Sequence, residues 1–400
     1  MSHDVSHLPA LCFLLGIPRS GTTLLAHLLQ RHPDIVAPPE PWLMLALEAF
    51  GSVDHRHPAG ASLVQAATSQ FLSRIDRTVV TRALADAAYG QYLAAAGKRT
   101  LIDKTPRYWA VLDFLESLYP EAPRIVLMRS PYAIAASLKS TWAVPLLAAS
   151  SPSAIASCVA DIVLGQPTPA IASSLADLVL GLPALAACRG QRETQTVHYE
   201  VLVAHPDEEI RRVLAGLGYA ATDMTSATAE QTDYLQSSTF GDRKILEKKT
   251  VDDRSVKAWQ TELSIEEMQV VTDLVGTELL IELGYEQDLR FAEQAGVLDK
   301  GRETTEGYRQ LFRTCWDFLG GNIGGSIDIP GDGAEPSSSA QQVEENLLAF
   351  SPSILREAHR LAVSKKQESL QVVTSIATQL HQELTALKAD QGARSGDPSW

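Results

Sequence analysis

The sequence predicts an α/β protein in which a parallel β-sheet is flanked by helices. Three short apolar segments each have the length of a buried strand, and each is followed by a loop and then by a helical segment. Strands that alternate with helices form parallel sheets with both faces covered. Ligands of such folds bind beyond the carboxyl ends of the strands, which is where these loops fall.

The first strand is the apolar run from Cys12, and a helix is predicted to begin near Thr22. Between them, Gly16-Ile-Pro-Arg-Ser-Gly21 has the GxxxxG spacing of a phosphate-binding loop, in which backbone N–H groups turn inward. The hydroxyls of Thr22 and Thr23 add donors. A threonine replaces the Walker A lysine after the second glycine, and Arg19 is the fixed cation, so an ordinary nucleoside triphosphatase is disfavoured.

The second strand, 123–128, leads into Arg129 and a helix that runs past Ser137. These two residues are eight positions apart, one at a strand end and the other two turns into a helix. A guanidinium and a hydroxyl placed in this way can both reach one phosphate. Taken alone, the pair is better explained as a surface arginine and an ordinary helical serine.

The third strand, 194–199, is followed by Glu200 and a predicted helix around residues 207–216. A short strand end also opens into a turn at 101–107, which carries Lys104. The sequence therefore places several charged side chains directly after strands.

A near-repeat with a period of sixteen links residues 154–167 and 170–183. Each copy is predicted to be a short apolar helix that a glycine and a proline end. Two copies are too few for a solenoid. They predict either a buried helix pair or an apolar wall for an acceptor substrate, within a helical, apolar insertion at 141–188.

The C-terminal region has a different pattern. We predict one domain over residues 1–288, a helix plus a Gly/Ser/Pro-rich linker over 289–342, and a helical extension over 343–400. In the extension, apolar residues at helical spacing mark an amphipathic helix. They are Val373, Ile376, Leu380, Leu384 and Leu387. An intramolecular clamp and self- or partner-association through this helix are both open.

Composition narrows the function classes. The 400 residues are 45% hydrophobic with a formal net charge of −14, which argues against general binding to nucleic acid or anionic membranes but leaves a local basic pocket open. The four scattered cysteines form no CxxC pair, so neither a disulfide framework nor a zinc site is expected, and a reducing cytoplasm is predicted. The apolar run 11–17 is too short for a signal core or a membrane span.

Together these segments resemble the sulfotransferases that use 3′-phosphoadenosine 5′-phosphosulfate (PAPS). The segment PRSGTT at 18–23 resembles the family's 5′-phosphosulfate loop, and RSPYAIAAS at 129–137 resembles its 3′-phosphate signature. HYEVLV at 198–203 is similar to its third segment, whose tyrosine packs near the adenine. The resemblance covers 11–288 and implies a P-loop NTPase-like sulfotransferase fold.

The resemblance implies a set of nucleotide-binding residues. They are Arg19, Ser20, Gly21, Thr22, Thr23, Arg129, Ser137, Tyr199 and Lys257. PAPS is then the sulfuryl donor and 3′-phosphoadenosine 5′-phosphate (PAP) the product. Transfer of this monoanionic group needs no obligatory magnesium, and the sequence has no acidic strand end like a Walker B segment.

Three catalytic residues are also implied: Glu40, Lys104 and Arg19. In the branch that includes tyrosylprotein sulfotransferases, a glutamate at this distance from PRSGTT is the general base, and neighbouring prolines stiffen the backbone around Glu40. Lys104 resembles the lysine that stabilises charge on the leaving phosphate oxygen. A histidine base, His55 or His57, is the alternative, as in the cytosolic branch.

The segment 240–259 resembles the mobile cap that closes over the nucleotide, but it departs from the family pattern. Ala258 stands where a cation is expected, with Lys257 one position earlier, and Thr141 stands where some relatives carry another arginine. The lysine that contacts the 3′-phosphate is therefore open among Lys257, Lys244 and Lys249.

The expected function is transfer of a sulfuryl group from PAPS to a hydroxyl of a small-molecule or carrier-tethered, hydrophobic acceptor, such as a lipid or polyketide. A degenerate P-loop kinase or nucleotidase is one alternative, against which the missing lysine argues. A non-catalytic nucleotide-binding docking protein is another, with the unmatched C-terminal tail as its support.

Overall fold

A five-stranded parallel sheet lies at the centre of the computed structural model, which describes residues 10–52, 60–149, 174–191, 193–220 and 254–320. The strands are β1 (Ala10–Leu15), β2 (Ile35–Val36), β3 (Thr100–Lys104), β4 (Arg124–Met128) and β5 (Thr194–His198). Their order is β2-β3-β1-β4-β5, and each neighbouring pair is parallel. The predicted parallel sheet is confirmed.

Helices connect the strands and continue after them. They are α1 (Thr22–Leu29), α2 (Leu43–Glu48), α3 (Ala61–Leu72), α4 (Arg77–Ala96), α5 (Leu112–Leu118), α6 (Pro131–Trp142), α7 (Leu146–Ala149), α8 (Leu182–Cys188), α9 (Tyr199–Ala204), α10 (Pro206–Gly216), α11 (Arg254–Lys257), α12 (Trp259–Glu262), α13 (Ile265–Val275), α14 (Thr277–Glu282), α15 (Glu286–Ala295) and α16 (Arg302–Gly320). A 3₁₀ turn (Tyr108–Val111) precedes α5, and a π turn (Asp177–Gly181) precedes α8. The helices predicted near Thr22, past Ser137 and around 207–216 match α1, α6 and α10.

The sheet has a hydrophobic core on each face. Successive strand side chains point to opposite faces, and β1 shows this: Phe13 and Leu15 pack in one core, whereas Cys12 and Leu14 pack in the other. Helices α1 and α10 cover the second face, while α6 and α13 cover the first. Both faces are covered, as the continuous apolar strands predict.

The carboxyl ends of four strands meet at one edge. Leu14 of β1 is in register with Lys104, the last residue of β3, and Met128 of β4 is in register with His198 of β5. The loops that leave these strands therefore start side by side. This edge brings together the residues that the sequence singles out.

The second copy of the sixteen-residue repeat differs from its prediction. The chain does not leave the helical conformation at Gly181 and Pro183, since the π turn continues directly into α8. Pro183 is the second residue of α8, directly after the π turn. The first copy, 154–167, lies outside the described residues.

The helices after residue 254 pack on the sheet domain. Trp259 is buried and stacks on Tyr132 of α6, with ring centres 4.8 Å apart. Helix α16 packs against α13 and the π turn. The predicted extension at 343–400 lies outside the described residues. Among the helices that are described, none is long and apolar enough to cross a membrane.

Candidate active site

The loop between β1 and α1 has the backbone of a tight turn. Gly21 has φ 101°, a left-handed conformation that glycine adopts without strain. A Cβ atom at this position would lie 2.4 Å from Cδ2 of Tyr199, so the tyrosine ring fits only against a glycine. The loop and the ring therefore lie in direct contact.

Arg129 joins the parts of the site. It follows β4, and its Nη1 donates to the carbonyl oxygen of Arg19 at 2.7 Å while its Nη2 donates to the carbonyl oxygen of Ser255 at 3.0 Å. The guanidinium carbon lies 4.4 Å from the ring centre of Tyr199, whose hydroxyl is 2.9 Å from Oγ of Ser255. The phosphate loop, β4, the start of α9 and helix α11 thus meet at one cation.

The side chain of Arg129 is largely buried from solvent. The residue is 7% exposed, and burial lowers the pKa of its guanidinium, an effect that nearby Tyr199 and Glu200 oppose. Its Nε is buried without a hydrogen-bond partner among the described residues, and so is Oγ of Ser20 in the phosphate loop. Two buried donors therefore lie beside the loop with unused capacity.

The side chain of Arg19 extends along α6. Its Nε donates to Oγ of Ser137 at 3.0 Å, and its Nη2 lies 3.4 Å from Oγ1 of Thr141. The guanidinium carbon is 5.9 Å from the ring centre of Trp142. Ser137 and Arg129 thus lie on either side of Arg19: the serine contacts its side chain and Arg129 contacts its carbonyl oxygen.

Glu40 and Lys104 form an ion pair at the same edge. Nζ of Lys104 donates to Oε1 of Glu40 at 3.1 Å, and the two side chains are 2% and 17% exposed. Burial lowers the pKa of Lys104, and the carboxylate of Glu40 opposes this. Glu40 has φ 49°, and Pro39 forms a parallel bridge with Lys104. The backbone bridge at Pro39 thus places the Glu40 carboxylate next to the buried ammonium of Lys104.

Comparison with known proteins identifies the family. The model of the sulfotransferase family matches residues 12–223. The chain belongs to the sulfotransferase family. It is also 62% identical over 395 residues to Nodulation protein NoeE of Sinorhizobium fredii (strain NBRC 101917 / NGR234), a match that spans 98% of this chain and 94% of that protein.

Two solved sulfotransferase domains are also similar to this sulfotransferase. The domain from the Synechococcus PCC 7002 olefin synthase is 24% identical and has a TM-score of 0.40, with 67% of this chain and 96% of that domain covered. The domain from the curacin biosynthetic pathway is 19% identical and has a TM-score of 0.42, with 74% of this chain and 100% of that domain covered.

The other residues that the sequence predicts for the site differ in burial, and some lie outside the described residues. Thr22 is buried and Thr23 half-buried at the start of α1. Lys257 is exposed at the end of α11, where its charge acts on Asp288. His55, His57, Lys244 and Lys249 lie outside the described residues. Within the described part of the chain, no three His, Cys, Asp or Glu side chains could hold a metal ion.

Sequence analysis missed two buried acids. Asp103 of β3 accepts hydrogen bonds from three hydroxyls. Asp177 of the π turn is bound by Nε and Nη2 of Arg107 and, at 2.8 Å, by Nε1 of Trp109. Burial raises the pKa of Asp177, which these two donors oppose. The signal in the sequence was a single acid within an apolar run.

Proposed function

We propose that this sulfotransferase moves the sulfuryl group of PAPS to a hydroxyl group and releases PAP. The observation that carries the proposal is the position of Arg129, which contacts the phosphate loop, the ring of Tyr199 and the start of α11 at once. A site of this kind can hold a phosphate between a loop and a buried guanidinium, next to an aromatic face for a base.

The residues present suit a phosphorylated nucleotide. A buried donor without an acceptor costs about 1–3 kcal/mol. Oγ of Ser20 and Nε of Arg129 are such donors among the described residues. Phosphate oxygens are acceptors that would satisfy them. Gly21 keeps the ring of Tyr199 against the loop, and α1 adds the partial positive charge of its N-terminus.

Three side chains divide the chemistry. Glu40 takes the proton of the acceptor hydroxyl as its oxygen forms a bond to sulfur. Lys104 stabilises the negative charge on the phosphate oxygen, which keeps the electron pair of the broken S–O bond. Arg19 pairs with the sulfuryl oxygens. Lys104 has three N–H donors and, among the described residues, uses one of them on Glu40, so the others can serve the leaving oxygen. No metal is required in this scheme.

We further propose a hydrophobic acceptor, either a small molecule or a carrier-tethered chain. Trp142 is 43% exposed beside Arg19, which offers an apolar surface at the reacting end of the site. The π turn of the 141–188 insertion also reaches the phosphate loop, since a Cβ at Gly181 would lie 3.0 Å from Cγ2 of Ile17. The name of the 62% identical relative supports a role in nodulation.

We also propose that the catalytic domain spans residues 1–288, that the protein acts in the cytoplasm, and that the C-terminal helix of 343–400 mediates self- or partner-association. If deletion of 343–400 leaves the oligomeric state and turnover unchanged, the association proposal fails.

Calorimetry tests the donor. PAP should bind without magnesium, whereas ATP with magnesium should bind weakly and should not be turned over. Magnesium-dependent ATP hydrolysis would instead indicate a kinase or nucleotidase. Tight PAP binding without any release of PAP from PAPS would indicate a non-catalytic docking protein.

The acceptor is best found by a direct search. Extracts of cellular metabolites are incubated with the protein and PAPS, and mass spectrometry detects products that gain one SO₃ group. The Glu40→Gln variant is the control, because it should bind PAP normally and give little product. An acceptor without apolar character would contradict the acceptor class proposed here.

A further inference from the structure

The proposed chemistry does not use the most deeply buried carboxylate of the site region. Asp103 is 0% exposed in β3, directly before Lys104. Its Oδ2 accepts from the hydroxyls of Tyr89 at 2.5 Å and Tyr108 at 3.0 Å, and its Oδ1 accepts from Oγ1 of Thr105 at 3.1 Å. Burial raises the pKa of Asp103 to about 6, and these three hydrogen bonds oppose the rise. The carboxylate is therefore a fixed acceptor for three side chains.

Two of those hydroxyls continue to the segment that carries Glu40. The hydroxyl of Tyr108 accepts from the backbone N–H of Met44 at 3.1 Å, and Oγ1 of Thr105 lies 3.4 Å from the backbone nitrogen of Trp42. Each hydroxyl thus donates its proton to Asp103 and turns its lone pairs toward the chain after Glu40. A connected set of hydrogen bonds therefore runs from Asp103 of β3, through Tyr108 and Thr105, to the backbone of residues 42–44.

That segment has a strained backbone. Glu40 has φ 49° and Trp42 has φ 55°, both left-handed conformations that non-glycine residues avoid. Such conformations persist only where surrounding contacts hold them, and they cluster at functional sites. On one side of Glu40, Pro39 is bridged to Lys104. On the other side, the backbone nitrogens of Trp42 and Met44 lie against Thr105 and Tyr108, and α2 packs on α4, α5 and the 3₁₀ turn.

We propose that Tyr108 and Thr105, anchored on Asp103, are positioning residues that hold the Glu40 carboxylate against Lys104 in the geometry needed for proton removal. This inference rests on the proposed function, in which Glu40 is the base. A displacement of about 1 Å at a reacting group can cost about 100-fold in rate. Loss of the anchor should therefore lower turnover without touching the nucleotide.

The chain offers a matched pair of variants. Tyr108→Phe and Tyr89→Phe each remove one hydroxyl that donates to Oδ2 of Asp103, and both tyrosines are buried. Only Tyr108 also accepts from the backbone of the Glu40 segment. Tyr108→Phe should lose more thermal stability than Tyr89→Phe, because it also leaves the buried N–H of Met44 without its acceptor. Stability is therefore measured beside turnover, and turnover is compared at a temperature where both variants are folded.

Turnover and exchange are measured together. Release of PAP from PAPS, with water as the acceptor, should slow about 10- to 100-fold in Tyr108→Phe and less than about 2-fold in Tyr89→Phe. KM for PAPS and the affinity for PAP should stay unchanged in both, since neither variant touches Arg129. Hydrogen exchange of a peptide covering residues 40–46 should become faster in Tyr108→Phe alone.

Combining Tyr108→Phe with Glu40→Gln shows whether Tyr108 acts through Glu40. In Glu40→Gln, adding Tyr108→Phe should lower turnover by less than about 2-fold, because the group being positioned is already gone. An equal loss of turnover in both tyrosine variants, or a full Tyr108→Phe loss in the Glu40→Gln background, overturns the inference.

The exchange data separate this inference from the proposed function. If Glu40→Gln keeps full turnover and Tyr108→Phe still speeds exchange at 40–46, the hydrogen bonds exist and the assignment of Glu40 as base is wrong. If Glu40→Gln loses turnover and Tyr108→Phe changes neither exchange nor turnover, the assignment of the base stands and the positioning role fails.

Discussion

Lys104 donates a hydrogen bond to Glu40 over 3.1 Å, although 64 residues separate them along the chain. The ammonium is almost fully buried while the carboxylate keeps some contact with solvent. The two side chains proposed for charge stabilisation and proton removal therefore lie against each other. The ion pair joins the end of β3 to Glu40 and its flanking prolines. A change in either side chain should therefore alter the contribution of the other to the free energy of unfolding.

This pair predicts coupled stability. Glu40→Gln leaves a buried ammonium without a carboxylate and should lower the free energy of unfolding by about 1–3 kcal/mol. Adding Lys104→Met removes the unpaired charge, so the double variant should be more stable than Glu40→Gln alone. Urea denaturation measures the parent protein, the single variants Glu40→Gln and Lys104→Met, and the double variant. Single-variant losses that simply add would show that the pair contributes no coupling.

Arg129→Ala should weaken PAP binding about 100-fold or more, because the guanidinium is the cation shared by the loop and α11. Arg290→Ala is the matched control, since that arginine is exposed and pairs only with Glu286 among the described residues. Its PAP affinity should match that of the parent protein. Calorimetry gives both constants, and tight PAP binding by Arg129→Ala would count strongly against the proposed site.

Gly21→Ala should damage the site through Tyr199. The added Cβ would overlap the ring, and the positive φ adds strain, so stability should fall by about 2–4 kcal/mol and PAP should bind at least about 10-fold more weakly. Gly97→Ala provides the comparison, because Gly97 also has a positive φ but has nothing within 4 Å of its added Cβ. That variant should lose about 1 kcal/mol and keep full PAP affinity.

Asp103 predicts a dependence of stability on pH. Its pKa is about 6 in the folded protein against an ordinary value of 3.8, so the native state holds the proton more tightly than the unfolded chain. The stability this group contributes is complete below pH 3.8 and is lost as the pH rises through 6. The loss corresponds to about 3 kcal/mol.

The Asp103→Asn variant isolates that effect. The difference in unfolding free energy between the parent protein and Asp103→Asn should shift against the parent between about pH 4 and pH 7. Chemical denaturation at several pH values measures it. A difference that stays constant over this range would mean that Asp103 titrates near its ordinary pKa.

Much of the fold could be predicted because its signals are local. The apolar strands, the glycine spacing at Gly16 and Gly21, and the helix starts all depend on neighbouring residues. The edge strand β2 has two residues, too few for any period to appear, and the sheet order depends on contacts between distant segments. The sequence therefore predicts where the strands and helices lie along the chain better than it predicts which strands lie next to each other in the sheet.

The site shows the same division. The motif residues Arg19, Arg129 and Tyr199 were expected together, and the structure brings them into contact. The individual contacts were not foreseeable. Ser137 was expected in the same site, but its hydrogen bond with Arg19, across 118 positions, was not. For Asp103, the sequence shows an acid beside Lys104 at the end of a short strand, and it does not show which hydroxyls donate to it.

The π turn at Asp177–Gly181 sets a limit on how the insertion can change. A π turn contains one residue more than an α-helical turn over the same span. Deleting one residue there would return the turn to regular α-helix and leave residues 174–176 nearly in phase with α8. Asp177 is the exception, because it binds Arg107 and Trp109 from this turn. The turn can therefore lose one residue in length only where Asp177 keeps its place.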